Sequence, residues 1–131
     1  MQIVFYDQSG QAIAYSDDEV HIFLFTGEAV AYMDADAVYS YRGVLLGWFE
    51  RGWLRDKDGR CVAFSENPAT GPQRPLRRQK PEIAPKQPVP VREHQDTRAL
   101  RPIHSNAWSR QSALDLLSRL PRSWPGDLGT K

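Results

Sequence analysis

The residue types that most often do chemistry are few in this chain: three histidines, one cysteine and sixteen carboxylates among 131 residues. Glu93-His94-Gln95-Asp96 gathers potential metal donors. A tetrahedral site needs two spaced pairs of ligands, however, and no cysteine stands nearby. Cys61 falls in a column of apolar residues described below, so it reads as a small core residue rather than a nucleophile. Asp17-Asp18, Asp34/Asp36 and Asp56/Asp58 resemble pairs for general acid–base work or for a hard cation. Each pair sits at a chain reversal, where aspartate is favoured because its carboxylate bonds the local backbone. No catalytic residue, metal ligand or cofactor follows from these groups.

Arg74, Arg77, Arg78 and Lys80 form a basic cluster. Nucleic-acid binding usually adds stacking or groove-reading side chains to such a patch, and none is interleaved here. The cluster is the candidate basic contact of a nucleic-acid-associated protein, which ranks as an alternative function. A metal-dependent hydrolase using the turn aspartates ranks below it. Pro85…Pro88 and Pro88…Pro90 have the spacing of a peptide-groove ligand, but such spacings arise freely in proline-rich segments.

The elements that hold these residues follow from charge and repetition. Residues 1–66 carry five basic and eleven acidic residues, and residues 67–131 carry twelve basic and five acidic. All ten prolines lie in the second part. The division predicts a folded acidic head over 1–66 and an extended basic tail over 67–108. Gly10, Gly27, Gly43 and Gly59 recur 17, 16 and 16 residues apart. Three residues after each stands Ile13, Val30, Leu46 or Val62. Next come the small residues Ala14, Ala31, Gly47 and Ala63, then the aromatics Tyr15, Tyr32, Trp48 and Phe64. Five before each glycine stands Phe5, Ile22, Val38 or Leu54, followed by Tyr6, Phe23, Tyr39 or, in the last unit alone, Arg55. A short fixed period of this kind marks a repeated supersecondary unit.

Glycine at a tight reversal flanked by β-branched and aromatic residues is hairpin chemistry. Four antiparallel hairpins, each marginal alone, are expected to close into a four-fold all-β ring or small barrel, because closure removes exposed strand edges. The chain resembles the four-fold beta flower proteins of bacteria. The likeness lies in Tyr6-Asp7-Gln8-Ser9-Gly10…Ala14-Tyr15 and its three echoes, and it continues through Gly71-Pro72…Arg74-Pro75-Leu76 to Trp108-Ser109. The resemblance implies the hairpin ring and carries no established activity and no catalytic residues.

The tail is expected to pack along the head, with Leu76, Ile83, Val89, Val91, Leu100 and Ile103 filling grooves between hairpins. Two columns of aromatics exceed what a small interior holds and predict an exposed aromatic platform unless the tail covers it. A short amphipathic helix is expected over 109–120, capped by Ser109 or Ser112 and stopped by Pro121, ahead of a flexible 121–131. Trp108, Leu114, Leu116, Leu117, Leu120 and Trp124 are its candidate interaction surface. No apolar run reaches the roughly 18 residues of a membrane span, and Met1–Asp7 lacks a basic leader, so a cytoplasmic protein is expected. The leading reading is a non-enzymatic protein-interaction or structural module. An unidentified protein partner or self-association is expected of it, and neither nucleic acid nor membrane.

Overall fold

The computed structural model describes residues 2–68 and 71–118. Eight strands follow in chain order: β1 (Ile3–Tyr6), β2 (Ala12–Ser16), β3 (His21–Leu24), β4 (Ala29–Asp34), β5 (Ala37–Tyr39), β6 (Leu45–Glu50), β7 (Trp53–Arg55) and β8 (Cys61–Phe64). All are antiparallel to their neighbours, and β8 returns to β1, which closes the barrel. The four-hairpin ring expected from the glycine period is the observed fold.

The repeat columns sort onto two faces. Each hairpin sets a large residue against a small one across its two strands: Phe5 on Ala14, Ile22 on Ala31, Val38 on Gly47 and Leu54 on Ala63. These pairs meet in the inner core, where a small partner lets the strands crowd. Immediately afterwards every hairpin slips its register by one residue, at the same place in each unit. The unpaired residue is Ile13, Val30, Leu46 or Val62. A bulge bends the strand and re-aims a side chain, so two successive residues of β2 and of β8 join the inner core rather than alternating, and Val30 packs against that core beside Ala31.

Helix α1 (Ala113–Ser118) closes the end of the ring where the glycine turns lie. Ala113, Leu116 and Leu117 are buried with Ile13, Leu46 and Val62. The helix is shorter at its start than the expected 109–120. The Ser109 N–H donates to the Cys61 carbonyl (2.7 Å) and the Cys61 N–H to the Ala107 carbonyl (3.0 Å), which holds 107–109 extended beside β8. Ser112 is the cap, its hydroxyl accepting from the Asp115 N–H at 3.0 Å. Residues 119 and 120, with Leu120, and 121–131, with Trp124, lie outside the described residues.

The four turn glycines have φ between 86° and 103°, a region that resists a Cβ. At Gly43 a Cβ would also overlap the His94 carbonyl of the tail. Gly43→Ala is therefore expected to cost about 2 kcal/mol, the usual scale of local backbone strain. Urea unfolding measures that cost. Amide exchange at Asp96, whose N–H bonds the Gly43 carbonyl, should speed up more than exchange at Arg78.

Candidate functional site

The outward-facing aromatics build the seams between hairpins. Tyr15 stacks on Phe23 (ring centroids 5.8 Å apart), Tyr32 on Tyr39 (5.8 Å) and Phe64 on Tyr6 (5.6 Å), so three seams carry one ring from each hairpin. The fourth sets Trp48 against Arg55. The Arg55 guanidinium is buried and donates to the Gly59 and Ser105 carbonyls, both at 2.7 Å. None of these rings is exposed. Tyr6, Tyr15, Phe23, Tyr32, Tyr39, Trp48 and Phe64 are all buried, so the expected open platform is covered.

The cover is the tail, and it has a period of its own. The N–H groups of Arg78, Gln87, Asp96 and Ser105 donate to the carbonyls of Gly10, Gly27, Gly43 and Gly59, at 2.8 to 3.1 Å. Residues 73–108 thus divide into four nonapeptides, one per hairpin turn. Ala84 and Glu93 add N–H bonds to Phe25 and Tyr41. Pro75 and Pro102 occupy the same place in the first and last units and have no N–H to give.

The fifth residue of each nonapeptide reaches the acidic residue that ends the preceding hairpin. Arg77 pairs with Glu66 (3.6 Å), Lys86 with Asp17 (2.6 Å), Gln95 with Asp34 (3.3 Å) and His104 with Glu50 (2.6 Å). Each acid stands seven residues after a turn glycine. Every tail unit therefore spans one seam, from the turn of one hairpin to the end of the last. A cation also lies on each seam's rings: Arg77 over Tyr6, Lys86 over Phe23, Arg92 over Tyr32 and Arg101 over Trp48, at 3.9 to 5.9 Å. The tail closes on itself where the Trp108 indole N–H donates to the Gln73 carbonyl (3.1 Å).

Magnitudes rank these contacts. Exposed ion pairs contribute roughly 0 to 1 kcal/mol each, and main-chain hydrogen bonds about 0.5 to 1.5 kcal/mol net. The opposite charges of head and tail steer the docking, while backbone bonds and covered rings hold it. Apolar tail side chains contribute little. Leu76, Val91, Leu100 and Ile103 are 89 to 95% exposed, and Ile83 and Val89 are also exposed, which corrects the expectation that they fill grooves. An extended chain that turns its N–H groups and cations inward leaves alternate side chains facing solvent.

The sequence-predicted site residues are dispersed. Trp108 packs on Trp53 and Phe64 at 5.6 and 6.3 Å. Leu116 and Leu117 are in the core, and Leu114 is partly exposed. Within the basic cluster Arg77 is committed to Glu66 and Tyr6, and Lys80 bonds Gln2 (3.3 Å). Arg74 and Arg78 are exposed and have no side-chain partner among the described residues. The acidic column at Asp17, Asp34, Glu50 and Glu66 was missed by sequence reasoning, although its spacing is that of the glycines.

The turn aspartates other than the exposed Asp58 have their oxygens engaged. Asp7 Oδ1 accepts from the Ser9 and Gln11 N–H groups and the Ser9 hydroxyl, and Asp56 Oδ1 from the Asp58 and Arg60 N–H groups. Among the described residues no group of three His, Cys, Asp or Glu is arranged to hold a metal ion. Burial pushes the Cys61 thiol up, towards the unreactive protonated form. Burial likewise raises the Tyr41 hydroxyl to about 12. The Lys86 hydrogen bond holds the Asp17 carboxyl below its ordinary range, helped by Gln2, and the same bond raises Lys86. For Asp18 burial is the largest influence and opposes ionisation. Bonds from the His21 ring and from the His21 and Val20 N–H groups together outweigh it and lower the carboxyl.

A family model described as 4-fold beta flower protein matches residues 3–117, a span that takes in the hairpins, the tail and nearly all of α1. No curated protein and no solved structure matches the chain.

A carboxyl lowered in the folded state stabilises above its unfolded pKa of about 3.9, and that stability is lost as pH falls through the folded value. The thermal midpoint is expected to drop below about pH 4. Asp17→Asn removes that contribution, so it should lower the midpoint slightly near neutrality and flatten part of the acid limb.

Proposed function

Since the chain belongs to the 4-fold beta flower family, and its seams are all committed to its own tail, we propose that it works as a non-enzymatic protein-interaction or structural module. The ring supplies a rigid frame. The tail, fixed on it by main-chain bonds, is the presenting surface. The single observation behind this reading is the near-complete exposure of Leu76, Val91, Leu100 and Ile103 on a segment whose backbone is pinned at every turn glycine. Large apolar side chains held outward at fixed positions are the raw material of a protein contact. No helix among the described residues is long and apolar enough to cross a membrane. One buried cysteine suits a reducing compartment such as the cytoplasm.

Uncommitted Arg74 and Arg78 favour a second reading, contact with nucleic acid. Binding of that kind weakens steeply with salt.

Leu100→Asp with Ile103→Asp in the full chain should change stability by no more than about 0.5 kcal/mol, as exposed sites do. The same variant should abolish recovery of a specific partner by crosslinking in the native cell. Undiminished recovery would sink the reading. Duplex binding that falls with salt and is lost in Arg74→Ser/Arg78→Ser would favour nucleic acid instead.

A further inference from the structure

Most charged side chains are matched within the chain, and those left over are sorted by sign. The cations whose side chains have no hydrogen bond, ion pair or ring contact among the described residues are Arg51, Lys57, Arg60, Arg74, Arg78 and Arg110, all exposed. Arg51 precedes β7, and Lys57 and Arg60 flank the turn before β8. Arg74 and Arg78 lie in the tail unit over the β8/β1 seam, and Arg110 shares a cavity lining with Asp7, Gln8 and Ser9 of the adjoining turn. The carboxylates in the same state include Glu19 and Glu28 on the second hairpin, with Glu82 and Asp96 in the tail units over its two seams. Asp58 is the one such carboxylate amid the cations, and Asp115 is on α1 over the barrel end. In the closed eight-strand order β7–β8 and β3–β4 are half a turn apart.

The repeat columns carry the same division. Glu28 and Arg60 each follow a turn glycine, where the other two hairpins have Gln11 and Val44. Arg78 and Asp96 each bond a turn carbonyl through the main chain, where the other two tail units have Gln87 and Ser105. Glu19 and Arg51 are connector residues of positive φ (63° and 54°), with Ala35 between them in the series. In each column the two charges stand two units apart with opposite sign, and the residue between them is neutral. One side of the ring thereby carries free positive charge and the other free negative charge, at the same levels along the barrel. Both sides also present apolar side chains 89 to 95% exposed: Leu76, Leu100 and Ile103 beside the cations, and Val91 beside the carboxylates.

We propose that the positive face of one copy of this chain binds the negative face of the next. The inference rests on the module reading and names the partner as a second copy. Contact between two different faces of one molecule is heterologous. Faces half a turn apart leave every added copy with one face of each kind unused, so the assembly grows as an open chain rather than closing as a pair. Complementary charge sets orientation and speeds encounter, and the exposed apolar side chains lose water where the faces meet. Either face laid on its own kind would bring like charges together. A nucleic acid would use the cations alone, whereas a second copy uses both faces.

Sedimentation equilibrium of the full chain over a range of concentrations is the test. In about 0.02 M salt the mean mass is expected to climb past the dimer without a plateau, and to fall back to the monomer in about 0.5 M salt, where exposed charges are screened. Arg60→Gln/Arg74→Gln/Arg78→Gln and Glu19→Gln/Glu28→Gln/Glu82→Gln each remove one face, and each should associate only at about tenfold higher concentration. An equimolar mixture of the two should stop at a 1:1 dimer, because each variant supplies the face that the other lacks. A monomer in low salt overturns the proposal, as do a closed dimer of the unaltered chain, association that salt leaves untouched, and a mixture that behaves like either variant alone. Arg119→Gln/Arg122→Gln/Lys131→Gln should leave assembly unchanged, and loss of assembly there overturns the assigned positive face. A chain that stays monomeric and binds a DNA duplex through Arg74 and Arg78 gives the cations to nucleic acid instead. Where the chain is monomeric yet crosslinking still recovers a different protein through Leu100 and Ile103, this inference fails and the module reading stands.

Discussion

A backbone carbonyl lying against a residue with no side chain is the contact on which the rest of the molecule depends. Each turn glycine is needed twice, once for its positive φ and once because the tail's main chain passes where a Cβ would be. Only at that approach can the tail N–H groups reach the glycine carbonyls and set the nonapeptide period. With the period set, the fifth residue of every unit meets an acid and a cation meets every seam. Ring and tail share one symmetry because they touch at the one point in each hairpin where side chains are excluded.

The symmetry is imperfect in an ordered way. Arg55 stands where three aromatics stand elsewhere, and its buried guanidinium holds two carbonyls, one from its own turn and one from the last tail unit. An isolated buried charge is costly. This one is hydrogen-bonded to the segment that ends the circuit, so the departure from the repeat is also what anchors the final nonapeptide. The same hairpin supplies Cys61, whose backbone seats Trp108, and Trp53, which packs on it. The fourth unit therefore carries the end of the tail.

The ring was legible because its signals are side-chain types recurring in register: glycine at the turn, a large–small pair inside, an aromatic outside. The tail's period was not, for a physical reason. A chain that docks through main-chain N–H groups leaves little trace in residue identity, and Arg77, Lys86, Gln95 and His104 have one role with four chemistries. Direction misled as well. Leu76 and Ile103 looked like groove fillers because they are apolar, whereas an extended strand whose alternate positions carry inward cations must turn its leucines outward. The helix start was misplaced because Ser109, a plausible cap by type, is tied to β8 and Asp56 instead.

The bond from the Trp108 indole to the Gln73 carbonyl joins the two ends of the tail into a belt, and a belt has a fixed circumference. Duplication of a hairpin within the ring would leave one seam bare unless a nonapeptide were duplicated with it, and loss of one would leave the belt slack. The number of hairpins is therefore set from outside the barrel as well as by strand geometry within it. Two segments of very different composition are bound to change length together, in steps of one hairpin and one nonapeptide.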